Sequence, residues 1–84
     1  MSALTVRYWA AAKTAAGVAE EDVDVPDAGT TLGDVLELVS ARHGGELPTV
    51  LRRCSFLLDG VRCDRATPVR AGSVVEVLPP FAGG

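Results

Sequence analysis

With 84 residues, the chain has room for one domain and not for two, because independent cores need many more residues each. A domain of this size buries only about 60–65% of its unfolded surface, which leaves little interior for a deep pocket and favours working with a partner over free-standing catalysis. Acidic side chains outnumber basic ones, for a net charge of −3; no basic stripe with interleaved aromatics is present and no window approaches the roughly 18 apolar residues of a membrane span, so neither nucleic acid nor a membrane is an expected partner.

The opening residues carry no basic segment followed by an apolar run, and the protein is expected in the cytosol. Leu4 to Trp9 alternates Leu4, Val6 and Tyr8 against Thr5, Arg7 and Trp9, the period of a half-buried strand. The Ala-rich stretch from Ala10 to Gly17 is compatible with a helical turn or a loop. Glu21 to Val25 places Val23 and Val25 on one face and forms a short second strand ending at Pro26.

After the loop-like segment Asp27 to Thr31 the period changes. Leu32, Val35, Leu36 and Val39 fall at i, i+3, i+4 and i+7, one face of an amphipathic helix. Thr31 and Asp34 resemble a capping box with Asp in place of Glu, and the carboxylate suits the positive end of the helix dipole. Gly44-Gly45 closes the helix. Leu47 to Arg53 predicts a further helical turn, with Pro48 near its start, where a missing N–H costs nothing.

Ser55 to Leu58, Asp59-Gly60 and Val61 to Cys63 read as a hairpin, because Asp-Gly supplies the positive φ values of a two-residue type I′ turn. Thr67 to Gly72 is a turn region. Val74 to Leu78 is the last strand, stopped by Pro79-Pro80, which removes two successive donors from the ladder. The order β-β-α-β-β indicates an α+β domain, a mixed sheet packed on one main helix. Residues 1–78 form the domain and residues 79–84 a flexible tail.

Little inside the body points to chemistry. His43, the single histidine, is expected as a surface residue near the negative end of the helix. Cys54 and Cys63 lack zinc-ligand spacing and are expected as free, partly buried thiols. The acidic group Glu20, Glu21, Asp22, Asp24 and Asp27 and the later arginines Arg52, Arg53, Arg62, Arg65 and Arg70 read as solvated surface with some cross-strand pairing. No Ser, His and Asp set or carboxylate pair converges by spacing, so no self-contained active site and no metal site are expected.

The tail is different. Gly makes up about 7% of ordinary proteins, so Gly-Gly at a chosen end arises by chance in about half a per cent of chains; behind Pro79-Pro80 and a Val-rich strand it is far more specific. Gly83 and Gly84 have no Cβ and can thread a channel too narrow for side chains. Pro79 and Pro80 fix φ and hold the stem extended, which lowers the entropy lost when the tail is ordered. A carboxylate on Gly84 has an ordinary pKa of about 3.3–3.7, so at neutral pH it is an anion and a poor electrophile. It must first be activated, for example as an acyl-adenylate formed with ATP and Mg²⁺, before a sulfur nucleophile can convert it to a thiocarboxylate.

Val6 to Ala10, Thr31 to Leu36, Asp59-Gly60 and above all Leu78-Pro-Pro-Phe-Ala-Gly-Gly84 give the whole chain a resemblance to the small subunits of molybdopterin synthase, the MoaD-like branch of the ubiquitin-like β-grasp sulfur carriers related to ThiS. The resemblance implies a chain without catalysis of its own and without bound cofactor. An ATP-dependent enzyme would adenylate Gly84 and sulfur would be installed there. The thiocarboxylate would then enter the active site of a large catalytic subunit to build the dithiolene of molybdopterin. It further implies Pro79, Pro80, Phe81, Ala82 and Gly83 as the inserted tail, and Trp9, Lys13 and Leu78 as docking residues. A carrier for thiamine or cysteine synthesis, and a ubiquitin-like modifier that joins Gly84 to protein lysines, share the same tail logic.

Overall fold

The computed structural model describes residues 2–80. Phe81, Ala82 and Gly83, assigned to the inserted tail above, and Gly84, assigned the reactive carboxylate, lie outside the described residues. Within them the elements run β1 (Ala3–Tyr8), α1 (Ala10–Ala16), β2 (Glu20–Asp24), β3 (Thr30–Thr31), α2 (Leu32–His43), α3 (Leu47–Leu51), β4 (Ser55–Leu58), β5 (Val61–Cys63), β6 (Pro68–Val69) and β7 (Val74–Leu78).

The main sheet has the order β2-β1-β7-β4-β5. The first and last strands, β1 and β7, lie side by side and parallel, while every other pair in this sheet is antiparallel. The alternation read in β1 holds: Leu4, Val6 and Tyr8 are buried, as are Val75 and Val77 beside them. From α2 come Leu32, Val35, Leu36 and Val39, all nearly inaccessible, into the same core. Each such side chain, fully buried, contributes about 1.5–3 kcal/mol relative to exposure.

Local chemistry closes the elements. Thr31 Oγ1 accepts from the Asp34 N–H at 3.2 Å, the N-cap half of the expected box. The Asp34 carboxylate accepts from the Thr30 hydroxyl at 2.6 Å. These hydrogen bonds from Thr30 and Thr31 hold the Asp34 pKa below the ordinary carboxylate value. In the hairpin, Asp59 and Gly60 have φ of 49° and 84°, both positive as a type I′ turn demands.

Three features depart from the sequence reading or resolve it. The Ala-rich stretch is a helix, α1, whose Ala12 and Ala16 are buried. A second sheet pairs β3 with β6, Thr30 opposite Val69 and Thr31 opposite Pro68. It needs Gly29, where an added Cβ would stand 2.9 Å from the Val69 carbonyl oxygen. His43 is not a solvated surface residue: its side chain is 17% exposed and its Nε2 donates to Glu21 Oε2 at 2.5 Å. The end of α2 lands on β2, and that contact withdraws the ring from solvent.

Candidate functional site at the root of the tail

One end of the sheet collects the residues that the tail must leave from. The register pairs Tyr8 with Val77, Leu78 with Ser55, and Phe56 with Cys63, so β1, β7 and β5 finish where β4 begins. Beyond β7, Pro79 is buried and Pro80 exposed. The packed body thus extends one residue past Leu78.

Trp9 continues β1 alongside Leu78. Its backbone N–H donates to the Val77 carbonyl at 3.2 Å, and parallel register sets it next to Leu78 on the face opposite the core. The indole is 44% exposed, unusual for so large an apolar group. Its Nε1 donates to Glu76 Oε1 at 3.3 Å. Glu76 in turn lies 3.8 Å from Arg7, which lies 3.5 Å from Glu20. An alternating charge row across three strands therefore fixes the ring over the sheet's outer face, each exposed link modest by itself.

The backbone contributes too. Ala10, immediately after Trp9, has φ of 48°, a conformation that costs an L-residue roughly 1–2 kcal/mol. The turn it makes starts α1 and brings Lys13 back into one shallow groove with Trp9, Ala10 and Thr14. Trp9 and Lys13 thus come together, and Leu78, half-buried, adjoins Trp9 across the β1–β7 pairing. Glu76 and Arg7 as supports of Trp9 were not read from the sequence. The period-2 pattern puts Glu76 and Leu78 on one face of β7, but nothing local announces that β1 lies beside it.

Other candidate chemistry is structural. Glu21 accepts from the Tyr8 hydroxyl at 2.5 Å, from Arg42 at 2.8 Å and from His43. Partial burial alone would raise the Glu21 pKa, but these three hydrogen bonds outweigh it and hold the carboxyl below its ordinary range. Burial, followed by the hydrogen bond to Glu21, pushes the Tyr8 phenol well above its ordinary value. Cys54 and Cys63 are free and half-buried. Desolvation raises both thiol pKa values, so thiolate at neutral pH is disfavoured. Among the described residues, no three His, Cys, Asp or Glu side chains gather closely enough to hold a metal ion, and no helix is long and apolar enough to cross a membrane.

The ThiS family model matches residues 6–84, nearly the full chain and the tail with it. The chain belongs to the ThiS family. A molybdopterin synthase sulfur carrier subunit from Chlamydomonas reinhardtii is 31% identical over 83 residues, covering 96% of this chain and 98% of that protein. The chain is accordingly a sulfur carrier by type. Solved structures share the fold. Small archaeal modifier protein 1 from H. volcanii has a TM-score of 0.82 at 21% identity, covering 95% of this chain and 99% of that one. A subunit 1 and 2 complex of molybdopterin-converting factor from Helicobacter pylori 26695 contains a chain with a TM-score of 0.68 at 22% identity, covering 98% and 99%. At such identities the two structures speak for the fold alone, and they agree with the α+β, ubiquitin-like β-grasp expected from the sequence. In the carrier, the β1–β7 pairing is what gives Trp9 and Leu78 a common address at the tail's root.

Proposed function

We propose that this carrier holds sulfur as a thiocarboxylate on Gly84 and delivers it inside the large subunit of a molybdopterin synthase. The observation that carries the reading is the side-chain-free Gly83-Gly84 end on a Pro79-Pro80 stem, rooted beside the exposed Trp9. The 31% identical relative bears the name of that synthase's sulfur carrier subunit. A large-subunit partner is favoured by the Helicobacter pylori structure, which is a complex of subunits 1 and 2.

The chemistry follows from the carboxylate. ATP and Mg²⁺, bound by an activating enzyme and not by this chain, convert the anion to an acyl-adenylate with loss of pyrophosphate. A hydrosulfide-level nucleophile then forms the C–S bond as the C–O bond to AMP breaks. The domain ends at the buried Pro79, and the residues from Pro80 to Gly84 reach at most roughly 17 Å. On this reading Phe81, Ala82 and Gly83 enter the partner with the Pro79-Pro80 stem, while Trp9, Lys13 and Leu78 serve as the docking face. In the synthase, two such deliveries to a pyranopterin precursor complete its dithiolene.

The test is intact-mass spectrometry after incubation with the activating enzyme, ATP and a sulfide source. The reading expects one oxygen replaced by sulfur, located on Gly84 by fragmentation; an unchanged mass contradicts it. Heavier covalent ladders of this chain in denatured lysate would indicate a lysine modifier instead, and transfer to thiamine or cysteine precursors in place of the pyranopterin would move the carrier to another pathway.

A further inference from the structure

The arginines of the second half, Arg52, Arg53, Arg62, Arg65 and Arg70, are exposed, as expected of solvated surface. Arg7 and Arg42 are engaged with carboxylates, whereas Lys13, Arg52, Arg53 and Arg65 have no carboxylate within 4.0 Å among the described residues. All four are exposed. Arg62, within β5, and Arg70, at the opposite end of the sheet, are likewise exposed and without a carboxylate within 4.0 Å among the described residues, but the other four gather at one end. Leu78 pairs with Ser55, so Arg52 and Arg53, just before β4, flank the strand end from which the tail departs. Cys63 pairs with Phe56, which sets Arg65, two residues beyond β5, at the same end of the sheet. Lys13 stands on the other side, in the Trp9 groove.

We propose that this end of the sheet is a cationic docking rim, with Lys13 on one side of the tail and Arg52, Arg53 and Arg65 on the other, that seats on the carboxylate-lined mouth of a partner protein's channel. The inference depends on the carrier reading only in supposing that a partner takes up the tail.

Several observations support an acidic protein surface as occupant. From β1 across β7 and β4 to β5 the rim spans about 14 Å, too broad for one phosphate to bridge. Arg65 is already oriented: its Nη2 donates to the Leu51 carbonyl at 3.4 Å and its guanidinium lies 5.8 Å from the centre of the Phe56 ring. Arg52 and Arg65 share a groove with Ser40 and a single carboxylate, Glu37. Asp64, just beyond β5, is occupied by its own turn, accepting from the Ala66 N–H at 2.8 Å and the Thr67 hydroxyl at 3.3 Å. The carboxylates at this end are engaged, Glu20 with Arg7 and Glu76 with Arg7 and Trp9, while Asp22 and Asp24 run along β2 toward the opposite end. Within a chain of net charge −3, these four unpaired cations stand at the end from which the tail departs, an arrangement that orients approach to an acidic opening.

The test is a titration of the full-length, ¹⁵N-labelled chain with an octaglutamate peptide and, separately, with Mg-ATP, followed by amide chemical shifts. Octaglutamate is expected to move Trp9 to Lys13, Arg52 to Ser55 and Asp64 to Ala66. Its affinity should fall at least about tenfold in Lys13→Glu/Arg53→Glu, and similarly when NaCl is raised from about 0.05 to 0.5 M. Arg70→Glu makes half that change in net charge at the opposite end of the sheet, where Gly72 N–H meets the Ala3 carbonyl, and should leave binding within about twofold. Lys13 and Arg53 are both exposed, and retained spectral dispersion confirms that the double variant folds. Absent or evenly spread shifts, an equal loss in Arg70→Glu, or rim shifts with Mg-ATP but not with the peptide would overturn the proposal. Sulfur exchange on Gly84 is read separately by mass, so failure of the rim and failure of the carrier reading are distinguishable.

Discussion

Glu21 shows how much one side chain settles in a domain this small. Its carboxylate, 13% exposed, ties β1 through Tyr8, β2 through its own backbone and the end of α2 through Arg42 and His43. Replacing it with Gln removes the charge that three donors converge on, and an amide cannot accept from all of them. Glu21→Gln is expected to lower stability by about 1–3 kcal/mol, measured by urea denaturation at pH 7. The pH dependence has a definite sign. The folded pKa lies below the ordinary value of 4.5, so Glu21's contribution is complete above that value and lost as pH falls through the folded pKa. The gap between wild type and variant should therefore narrow on acidification below 4.5; a gap that stayed constant or widened would contradict the hydrogen-bonded, ionised carboxylate.

At the scale of elements, the β4–β5 hairpin joins turn chemistry to the strand that bears the tail. Asp59 not only occupies the first turn position; its Oδ1 accepts from the Val74 N–H at 2.8 Å, and its own N–H donates to the Val74 carbonyl at 2.8 Å. The turn therefore clamps the start of β7. Gly60→Ala, forced to hold a φ of 84°, should cost about 1 kcal/mol or more, and Asp59→Ala about 1–2 kcal/mol. Unchanged urea midpoints in both would refute the clamp. The hairpin could be read from the sequence because Asp-Gly acts locally, and α2 because its four core residues keep helical spacing. The two-residue strands β3 and β6 are too short to show any period, and they meet across nearly forty positions of sequence. The Ala-rich α1 lacks a strong apolar face, so its helix is settled by Ala12 and Ala16 packing into the core. Half of the candidate site was equally local: the Gly-Gly tail declares itself by composition. Glu76 beneath Trp9 and the convergence of Arg52, Arg53 and Arg65 depend on strand neighbours that only the folded sheet creates.

For the molecule as a whole, the parallel pairing of the first and last strands brings the exposed Trp9 and the departure of the tail to one place. Ordering the final four residues on a partner would cost on the order of 4–8 kcal/mol. On the proposed reading a docking face must offset that, and the exposed Trp9 with the proposed cationic rim is suited to it. The central claim is that the reactive group is the free carboxylate of Gly84, reached only where no side chain blocks the way. Its most direct measurement is intact mass of a variant carrying one added alanine after Gly84, treated with activating enzyme, ATP and sulfide beside the unextended chain. The account predicts sulfur exchange in the unextended chain and none in the extended one; full exchange in the extended chain, with the alanine still attached, would contradict it.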